Sequence, residues 1–218
     1  NALYFNGVWD TPFDESLTED RIFYREDGTT VELPFMNKHE VRTQYIKTEN
    51  AEGVRLFYND YRQSFVALRP TDGKSIHEFA AAFEKDTLKN ALSAAEMRDV
   101  DLSMPKFEQE DEIDMSDLLR DMELGIIFDQ NQADFSKMGT MNGYPLFVSK
   151  VIQKSAVRVD ERGTEAAAAT EVEMDTAALP MENQKGPVKL VLDSPYAYFI
   201  MDSESGIPLF MGVMDDPS

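Results

Sequence analysis

The sequence predicts an α+β fold with at least two β-sheets, and three observations support that class. Many segments along the chain are rich in β-branched and aromatic side chains and separated by turn residues, as strands are. Three short stretches have helical patterning instead. There is no internal repeat and no obvious linker, and the length suits one large domain or two small ones.

The N-terminal third is predicted to be a run of strands. Asn1 opens the first of them, N-A-L-Y-F-N-G-V-W, which Gly7 interrupts. Polar turns lie at 26–28 and at 58–61, and the second has the residues of a hairpin turn. The strands predicted in this part are 1–9, 21–24, 30–36, 41–47, 53–57 and 64–69.

The pattern then becomes helical at Ser75, which forms a capping box with Glu78. A second helix is predicted over 87–94 and a third over 116–123, which Gly125 would end in a left-handed C-cap. The remaining predictions are strands at 100–104, 147–159, 188–192, 196–201 and 209–213, a loop at 129–144, and a solvated loop or strand end in the acidic run 108–114.

Charge and composition exclude several functional classes. Asp and Glu number 41 against 21 Lys and Arg, which gives a formal net charge of −20. Such a surface repels phosphate backbones and anionic lipid, so we expect no nucleic acid and no membrane among the partners. No apolar run approaches the ~18 residues needed to cross a membrane. Cys is absent, which excludes disulfides and thiolate chemistry and leaves the compartment open.

Enzymatic chemistry and metal binding are not expected. His39 and His77 each stand beside a Glu, but no G-x-S-x-G elbow occurs, and the capping box explains His77. Asp111, Glu112 and Asp114 lack the Gly and the terminal Glu of a calcium loop. Gly-rich phosphate loops are also absent. We therefore expect no catalytic residue, no metal site and no cofactor.

The segment 160–178 has two conflicting patterns. Its E-A-A-A-A run should be helical by propensity, because Ala is the best helix former. Small or apolar residues nevertheless alternate with acidic residues or Ala, which is the period of a strand with one buried face. The residues on that face would be Thr164, Ala166, Ala168, Thr170, Val172 and Met174. We interpret the segment as a conformational switch, exposed in one state and a strand in the other.

Four blocks of sequence stand out along the chain: N-A-L-Y-F-N-G-V-W at Asn1, M-P-K-F at Met104, G-T-E-A-A-A-A-T at Gly163, and the C-terminal S-P-Y-A-Y-F-I with G-I-P-L-F-M-G-V-M-D-D-P. Together they resemble the serpin family. The resemblance covers residues 1–218 as the C-terminal half or more of a single serpin domain. It implies the serpin fold, with the N-terminal helices and part of the central sheet outside this chain. It also implies a reactive-centre loop at about 161–187.

The resemblance implies a suicide inhibitor of serine proteases, not an enzyme. A protease attacks the exposed loop and forms an acyl-enzyme, and residues 164–174 then insert into the central sheet and distort the bound protease. A strand that enters a narrow gap needs small side chains, and a hinge needs the backbone freedom of Gly. The residues that match the family's hinge are Glu161, Gly163, Thr164, Glu165, Ala166, Ala167, Ala168, Ala169 and Thr170.

The bond that the protease attacks is predicted at Ala177–Ala178, from its usual position after the hinge glycine in inhibitory members. A slip of one residue would give 176–177 or 178–179 instead. Small residues at this bond suit a protease with a shallow specificity pocket. The expected partner is therefore an elastase-like serine protease, with a cysteine protease as another class.

Four residues match the gate of the family's central sheet: Asn1, Trp9, Lys106 and Gln153. The resemblance implies an ion pair between Lys106 and Glu161 near Trp9, which we expect to help hold the uninserted state. Gln153 stands where the family has a histidine bonded to the asparagine at position 1. That hydrogen bond is expected to be rearranged here.

Two alternatives stay open at this point. A non-inhibitory serpin, such as a carrier, chaperone or storage protein, usually has large, charged or Pro residues in its hinge, which this chain lacks. An unrelated acidic β-rich binding module would require all of these family-like blocks to coincide. The resemblance favours an extracellular or cell-envelope location, and insertion would need the N-terminal part of the serpin as a partner.

Overall fold

The computed structural model describes residues 1–83, 86–164 and 186–218. The chain divides into a smaller unit of Asn1–Phe5 and Gln109–Val157 and a larger unit of Asn6–Glu108 and Arg158–Ser218. Its α-helices are α1 (Ile76–Ala81), α2 (Thr87–Ser93) and α3 (Ser116–Leu119). Its strands are β1 (Ala2–Tyr4), β2 (Gly7–Val8), β3 (Glu19–Tyr24), β4 (Thr30–Lys47), β5 (Ala51–Phe57), β6 (Gln63–Pro70), β7 (Ala95–Pro105), β8 (Phe107–Asp114), β9 (Thr140–Met141), β10 (Tyr144–Pro145), β11 (Ile152–Val159), β12 (Gly163–Thr164), β13 (Val188–Val191), β14 (Tyr196–Asp202) and β15 (Pro208–Met214).

The larger unit contains a sheet with the strand order β13-β7-β4-β5-β6-β14-β15, in which β3 also pairs with β4. Neighbouring strands are antiparallel, except that β13 runs parallel to β7. The register of β4 against β7 shifts between Lys38 and Val41. Glu40, inside the shift, has a φ of 49°. β4 therefore carries a bulge, which bends the strand and changes the direction of the side chains beside it.

One part of the core of the larger unit lies between this sheet and the helices α1 and α2. Apolar side chains of β4, β5, β6 and β14 form one buried cluster with Ile76 and Phe79 of α1 and with Ala91 of α2. Phe83 extends the cluster by stacking on Phe199, with 5.1 Å between the ring centroids. The strands are therefore fixed from one side by the two helices.

A smaller set of strands in the larger unit positions the candidate site. β12 lies between β2 and the C-terminal end of β11 and is antiparallel to both. Thr164 is opposite Val159 of β11 on one side and opposite Gly7 of β2 on the other. The chain that follows Arg162 has therefore already entered a position between two strands.

In the smaller unit, β1 runs parallel to β11, with Leu3 opposite Ser155. The backbone of Asn1 prolongs this pairing. Its amino group donates to the carbonyl oxygen of Ile152 at 2.8 Å, and its carbonyl oxygen accepts from the amide of Lys154 at 2.9 Å. Over this length β1 and β11 are direct neighbours.

The predicted α+β class is confirmed, and several element predictions are corrected. The capping box at Ser75 is present, with its side chain accepting from the amide of Glu78 at 3.0 Å and the Glu78 carboxylate accepting in return at 3.1 Å. Of the two predictions for the acidic run 108–114, a solvated loop or a strand end, the strand is correct, because the run belongs to β8, whose backbone pairs with β11. Pairing within a sheet outweighs the low strand propensity of acidic residues.

The predicted helix over 116–123 is also corrected. α3 ends at Leu119 and is followed by a π-helical turn at Arg120–Leu124. Glu123, with a φ of 66°, takes the left-handed conformation that was predicted for Gly125. Gly125 has a φ of −56° because the chain continues there into a 3₁₀ turn.

Two predicted strands have different limits in the structure. The strand predicted over 147–159 begins at Ile152. The strand predicted over 1–9 is divided into β1 and β2, and the break falls before Gly7. Gly7 itself pairs with Thr164, so it belongs to a strand.

Candidate functional site

The chain from 159 to 164, which we call the loop base, joins β11 to β12 through a tight turn. The carboxylate of Asp160 closes this turn by accepting from the amides of Arg162 at 2.9 Å and Gly163 at 3.2 Å. A Cβ at Gly163 would lie 2.0 Å from the carbonyl oxygen of Gly7. Only glycine therefore allows the chain to come this close to β2 as it enters the sheet.

Trp9 fixes the loop base from the side of β2. Its indole Nε1 donates to the carbonyl oxygen of Asp160 at 2.9 Å, and its amide donates to that of Arg162 at 2.9 Å. The ring is 2% exposed and stacks on Tyr58, with 4.7 Å between centroids and 7° between planes. The single tryptophan of this chain thus connects the turn to the end of β5.

Tyr58 and Thr164 form a buried hydroxyl pair at the start of β12. Their oxygens are 2.6 Å apart, and Tyr58 is 1% and Thr164 0% exposed. Burial raises the pKa of the Tyr58 phenol far above its usual value, and the bond to Thr164 opposes this shift only in part. Both groups therefore stay neutral, and each satisfies the other in the absence of water.

Glu161 is a buried carboxylate with several partners at the loop base. Lys106 Nζ lies 2.8 Å from its Oε2, and the hydroxyl of Thr18 donates to its Oε1 at 2.7 Å. Its carbonyl oxygen accepts from the amide of Phe13 at 2.8 Å. Burial alone would raise the pKa of Glu161, but the hydrogen bonds from Lys106 and Thr18 outweigh it, and the pKa lies below its usual value. The carboxylate is therefore ionised at neutral pH.

The larger unit brings Trp9, Lys106, Glu161, Gly163 and Thr164 together, as the sequence predicts for a gate and hinge. Their functional roles remain predictions.

Asn1 and Gln153 belong to the smaller unit. The hydrogen bonds that Asn1 makes in the described part of the chain are those of its backbone, to Ile152 and Lys154. The two gate residues Asn1 and Gln153 are thus adjacent across β1 and β11 without a side-chain hydrogen bond between them.

The rest of the predicted hinge and the predicted reactive bond lie outside the described residues. They are Glu165, Ala166, Ala167, Ala168, Ala169, Thr170, Ala177 and Ala178. These assignments remain predictions.

Three residues of the site were not predicted: Thr18, Phe13 and Tyr58. Tyr58 was assigned to a hairpin turn, and Thr18 to a polar loop. Each meets its partner across more than a hundred positions of sequence, and no local pattern marks such a contact. The local sign of burial at Tyr58 is that this aromatic residue directly follows Phe57, the last residue of β5.

Neither a metal-binding cluster nor a membrane-spanning helix occurs among the described residues. Within residues 1–83, 86–164 and 186–218, no cluster of three or more acidic or histidine side chains is arranged to hold a metal ion. Of the helices among those residues, none has the length and apolar character to cross a membrane.

Comparison with known proteins decides the family. The model described as "Serpin (serine protease inhibitor)" matches residues 1–217. This chain belongs to the serpin family. The serpin fold is confirmed by a solved structure, the thermophilic serpin tengpin in its native state, which is 30% identical with a TM-score of 0.82. That match covers 99% of this chain and 54% of tengpin.

Curated serpins match along the whole chain. Plasminogen activator inhibitor 1 of Neovison vison is 31% identical, over 100% of this chain and 53% of that protein. A serpin-like protein of Methanosarcina mazei is 34% identical, over 100% of this chain and 49% of that protein. The chain thus spans about half the length of the curated serpins that it matches.

Proposed function

We propose that this serpin inhibits serine proteases as a suicide substrate, by insertion of its cleaved loop into a β-sheet. The observation that carries the proposal is the position of Thr164. The residue directly after the hinge glycine is already paired with β11 on one side and β2 on the other, and it is fully buried. Loop insertion would continue a strand that has begun.

The register of β12 defines where further residues would go. Antiparallel pairing of Thr164 with Val159 would continue with Ala166 opposite Val157, Ala168 opposite Ser155 and Thr170 opposite Gln153.

On the other side, pairing of Thr164 with Gly7 would continue with Ala166 opposite Phe5, Ala168 opposite Leu3 and Thr170 opposite Asn1. Leu3 and Ser155 are at present opposite each other. The inserted strand would therefore separate β1 from β11 and pair with both.

The side chains of the segment suit this path. Every second residue after Thr164 is small as far as Thr170, so the leading part of the strand needs little space. Val172 and Met174 follow and would bury more apolar surface, worth roughly 25 cal/mol per Å². About a dozen new ladder hydrogen bonds, at ~0.5–1.5 kcal/mol each, would contribute on the order of 10 kcal/mol. This is comparable to the whole stability of an ordinary domain.

The contacts of the loop base would restrain this reaction before cleavage. Trp9 holds the turn at Asp160, and Lys106 with Thr18 holds Glu161. Both sets act on the residues before Gly163, so in the proposed mechanism they hold the base of the loop in place and slow the extension of β12.

We propose an elastase-like enzyme as the target class. Support comes from the small residues Ala177 and Ala178 at the predicted bond, since a shallow pocket accepts only small side chains. Curated relatives include proteins named plasminogen activator inhibitor 1 and antitrypsin. Proteases of other specificities are therefore tested beside elastase.

The test mixes the complete protein with an elastase and, separately, with trypsin-like and chymotrypsin-like proteases. A denaturing gel should show an SDS-resistant complex with elastase. Mass spectrometry should find a released C-terminal peptide that starts at Ala178. Complexes with another protease only would overturn the target class, and cleavage by all three without any complex would overturn inhibition.

A matched pair of variants tests the insertion step. Thr164→Arg puts a charge at a fully buried position and should turn the inhibitor into a substrate, cleaved without a complex. Thr30→Arg makes the same exchange at the exposed start of β4 and should leave complex formation unchanged. Equal complex yields for the two variants would contradict insertion at Thr164.

A further inference from the structure

A cavity of about 270 Å³ lies in the larger unit beside the bulge of β4. Apolar side chains form much of its wall, among them Trp9, Leu56, Phe57 and Met97. Its volume is just below the ~300 Å³ at which ligand pockets usually begin. A small molecule with one ring system would fit this space.

Lys38 is the unusual group of this cavity. The residue is 9% exposed, and its ammonium donates to the carbonyl oxygen of Thr11 and lies 4.3 Å from the ring centroid of Phe13. No carboxylate of the described chain forms an ion pair with it. Burial lowers the pKa of Lys38 to about 8, an effect that the charge of Asp10 only partly opposes. A buried cation without an anionic partner is costly, because buried charges are normally paired.

The other charged groups that line the cavity leave a place for one negative charge. Arg42 pairs with Asp99 at 3.3 Å, outside the lining. Asp10 accepts a hydrogen bond from the Tyr61 hydroxyl, which raises the pKa of Tyr61. Arg42 is thus neutralised from outside the cavity, and Lys38 is the lining cation that has no carboxylate at ion-pair distance. A single carboxylate placed at Lys38 would pair with it, whereas a dianion would also meet the charge of Asp10.

We propose that this cavity binds a small aromatic monocarboxylate, with its carboxylate at Lys38 and its ring against Phe57 and Met97. The chemistry follows from the two halves of the lining. Lys38 offers an ammonium that has donors to spare beyond the one used on Thr11. The apolar wall offers the contact surface that a free inorganic anion would not use. Ligand binding in this cavity does not require that the protein inhibits proteases.

The test is isothermal titration calorimetry of the complete protein with naphthalene-2-carboxylate and with naphthalene-2-carboxamide, its neutral analogue. The carboxylate should bind at least tenfold more tightly than the amide. Lys38→Met should remove this preference. Lys74→Met, which changes an exposed lysine paired with Asp72 at 2.9 Å, should leave it intact. Equal affinities of the two compounds for the wild type, or an unchanged preference in Lys38→Met, would overturn the proposal.

A second variant keeps the test decisive if Lys38→Met fails to fold. Met97 is 48% exposed at the cavity rim, so Met97→Trp should fill the space without disturbing the core. Binding of the carboxylate should then fall at least tenfold while Lys38 remains in place. Retention of full affinity by Met97→Trp would place the ligand elsewhere and overturn the proposal.

Discussion

The hydroxyl oxygen of Tyr58 lies 2.6 Å from Oγ1 of Thr164, and neither residue is more than 1% exposed. This contact joins the end of β5 to the first strand residue after the hinge glycine. The hydrogen bond is short, buried and formed by two neutral groups. If one hydroxyl is removed, solvent water does not reach the other oxygen to replace it.

Tyr58→Phe should lower the free energy of unfolding by about 1–3 kcal/mol, because Oγ1 of Thr164 is left buried without a partner. Thr164→Val should have a similar cost. The double variant should cost less than the sum of the two, since it removes both polar groups together. Denaturant unfolding of the complete protein measures the free energy of the wild type and of the three variants. Strictly additive losses would mean that the two hydroxyls are not coupled.

Lys106→Ala should make the loop base easier to open. The Glu161 carboxylate would keep Thr18 but lose its counter-charge, at a cost of about 1–3 kcal/mol. We expect faster spontaneous loop insertion and faster polymer formation on warming, which native gels detect. Lys150→Ala, which removes an exposed partner of Asp114 at 3.5 Å, is the control and should change neither. The restraining role fails if Lys106→Ala behaves like this control.

Acid should weaken the loop base through Glu161. The pKa of this carboxyl is below its ordinary value of 4.5 in the folded protein, so the unfolded chain takes up a proton first as pH falls. The stabilisation is complete above pH 4.5 and is lost as pH falls through the folded pKa. Glu161→Gln should remove this contribution. The difference in unfolding free energy between wild type and variant should therefore shrink on acidification. A constant difference would mean that the ionised Glu161 carboxylate does not stabilise the loop base.

Alkali should stabilise the protein through Lys38. Burial lowers its pKa from 10.5 to about 8, so between these values the unfolded chain binds more protons than the folded one. Stability from this group therefore rises with pH from about 8 towards 10.5, by roughly 3 kcal/mol in total. Lys38→Met should lack the rise. Parallel curves of unfolding free energy for wild type and variant from pH 7 to 10 would show that burial does not lower the pKa of Lys38.

Gly163→Ala should impair entry of the strand, because its Cβ would collide with the carbonyl of Gly7 at 2.0 Å. We expect a higher ratio of cleaved inhibitor to trapped protease, measured as the stoichiometry of inhibition. The matched control is Gly125→Ala, which lies outside the predicted reactive-centre loop and where a Cβ meets nothing within 4 Å. An unchanged stoichiometry in Gly163→Ala would mean that the chain enters by another route.

Local signals in the sequence were sufficient for part of the fold. The capping box at Ser75 depends on contacts three residues apart and is present as predicted. Thr164 is a buried strand residue, and the alternation predicted after it lies outside the described residues. The capping box is fixed by neighbouring residues, and a single sequence therefore contains it.

Features that depend on distant partners were not predictable in the same way. β8 was assigned as a solvated loop or strand end because its composition is acidic, whereas pairing with β11 makes it a strand. Tyr58 was placed in a turn, although its neighbours in space are Trp9 and Thr164. No periodicity in one segment specifies which other segment it meets.

The parallel pairing of β1 with β11 affects which arrangement of the sheet has the lower free energy. These strands run parallel, and parallel ladders have slanted hydrogen bonds that are slightly weaker per residue than antiparallel ones. A strand that extends β12 between them would replace one parallel ladder by two antiparallel ladders. In the proposed insertion mechanism, the present arrangement is therefore the metastable state, whose lifetime is set by an activation barrier, and the sheet with the inserted strand is the equilibrium form.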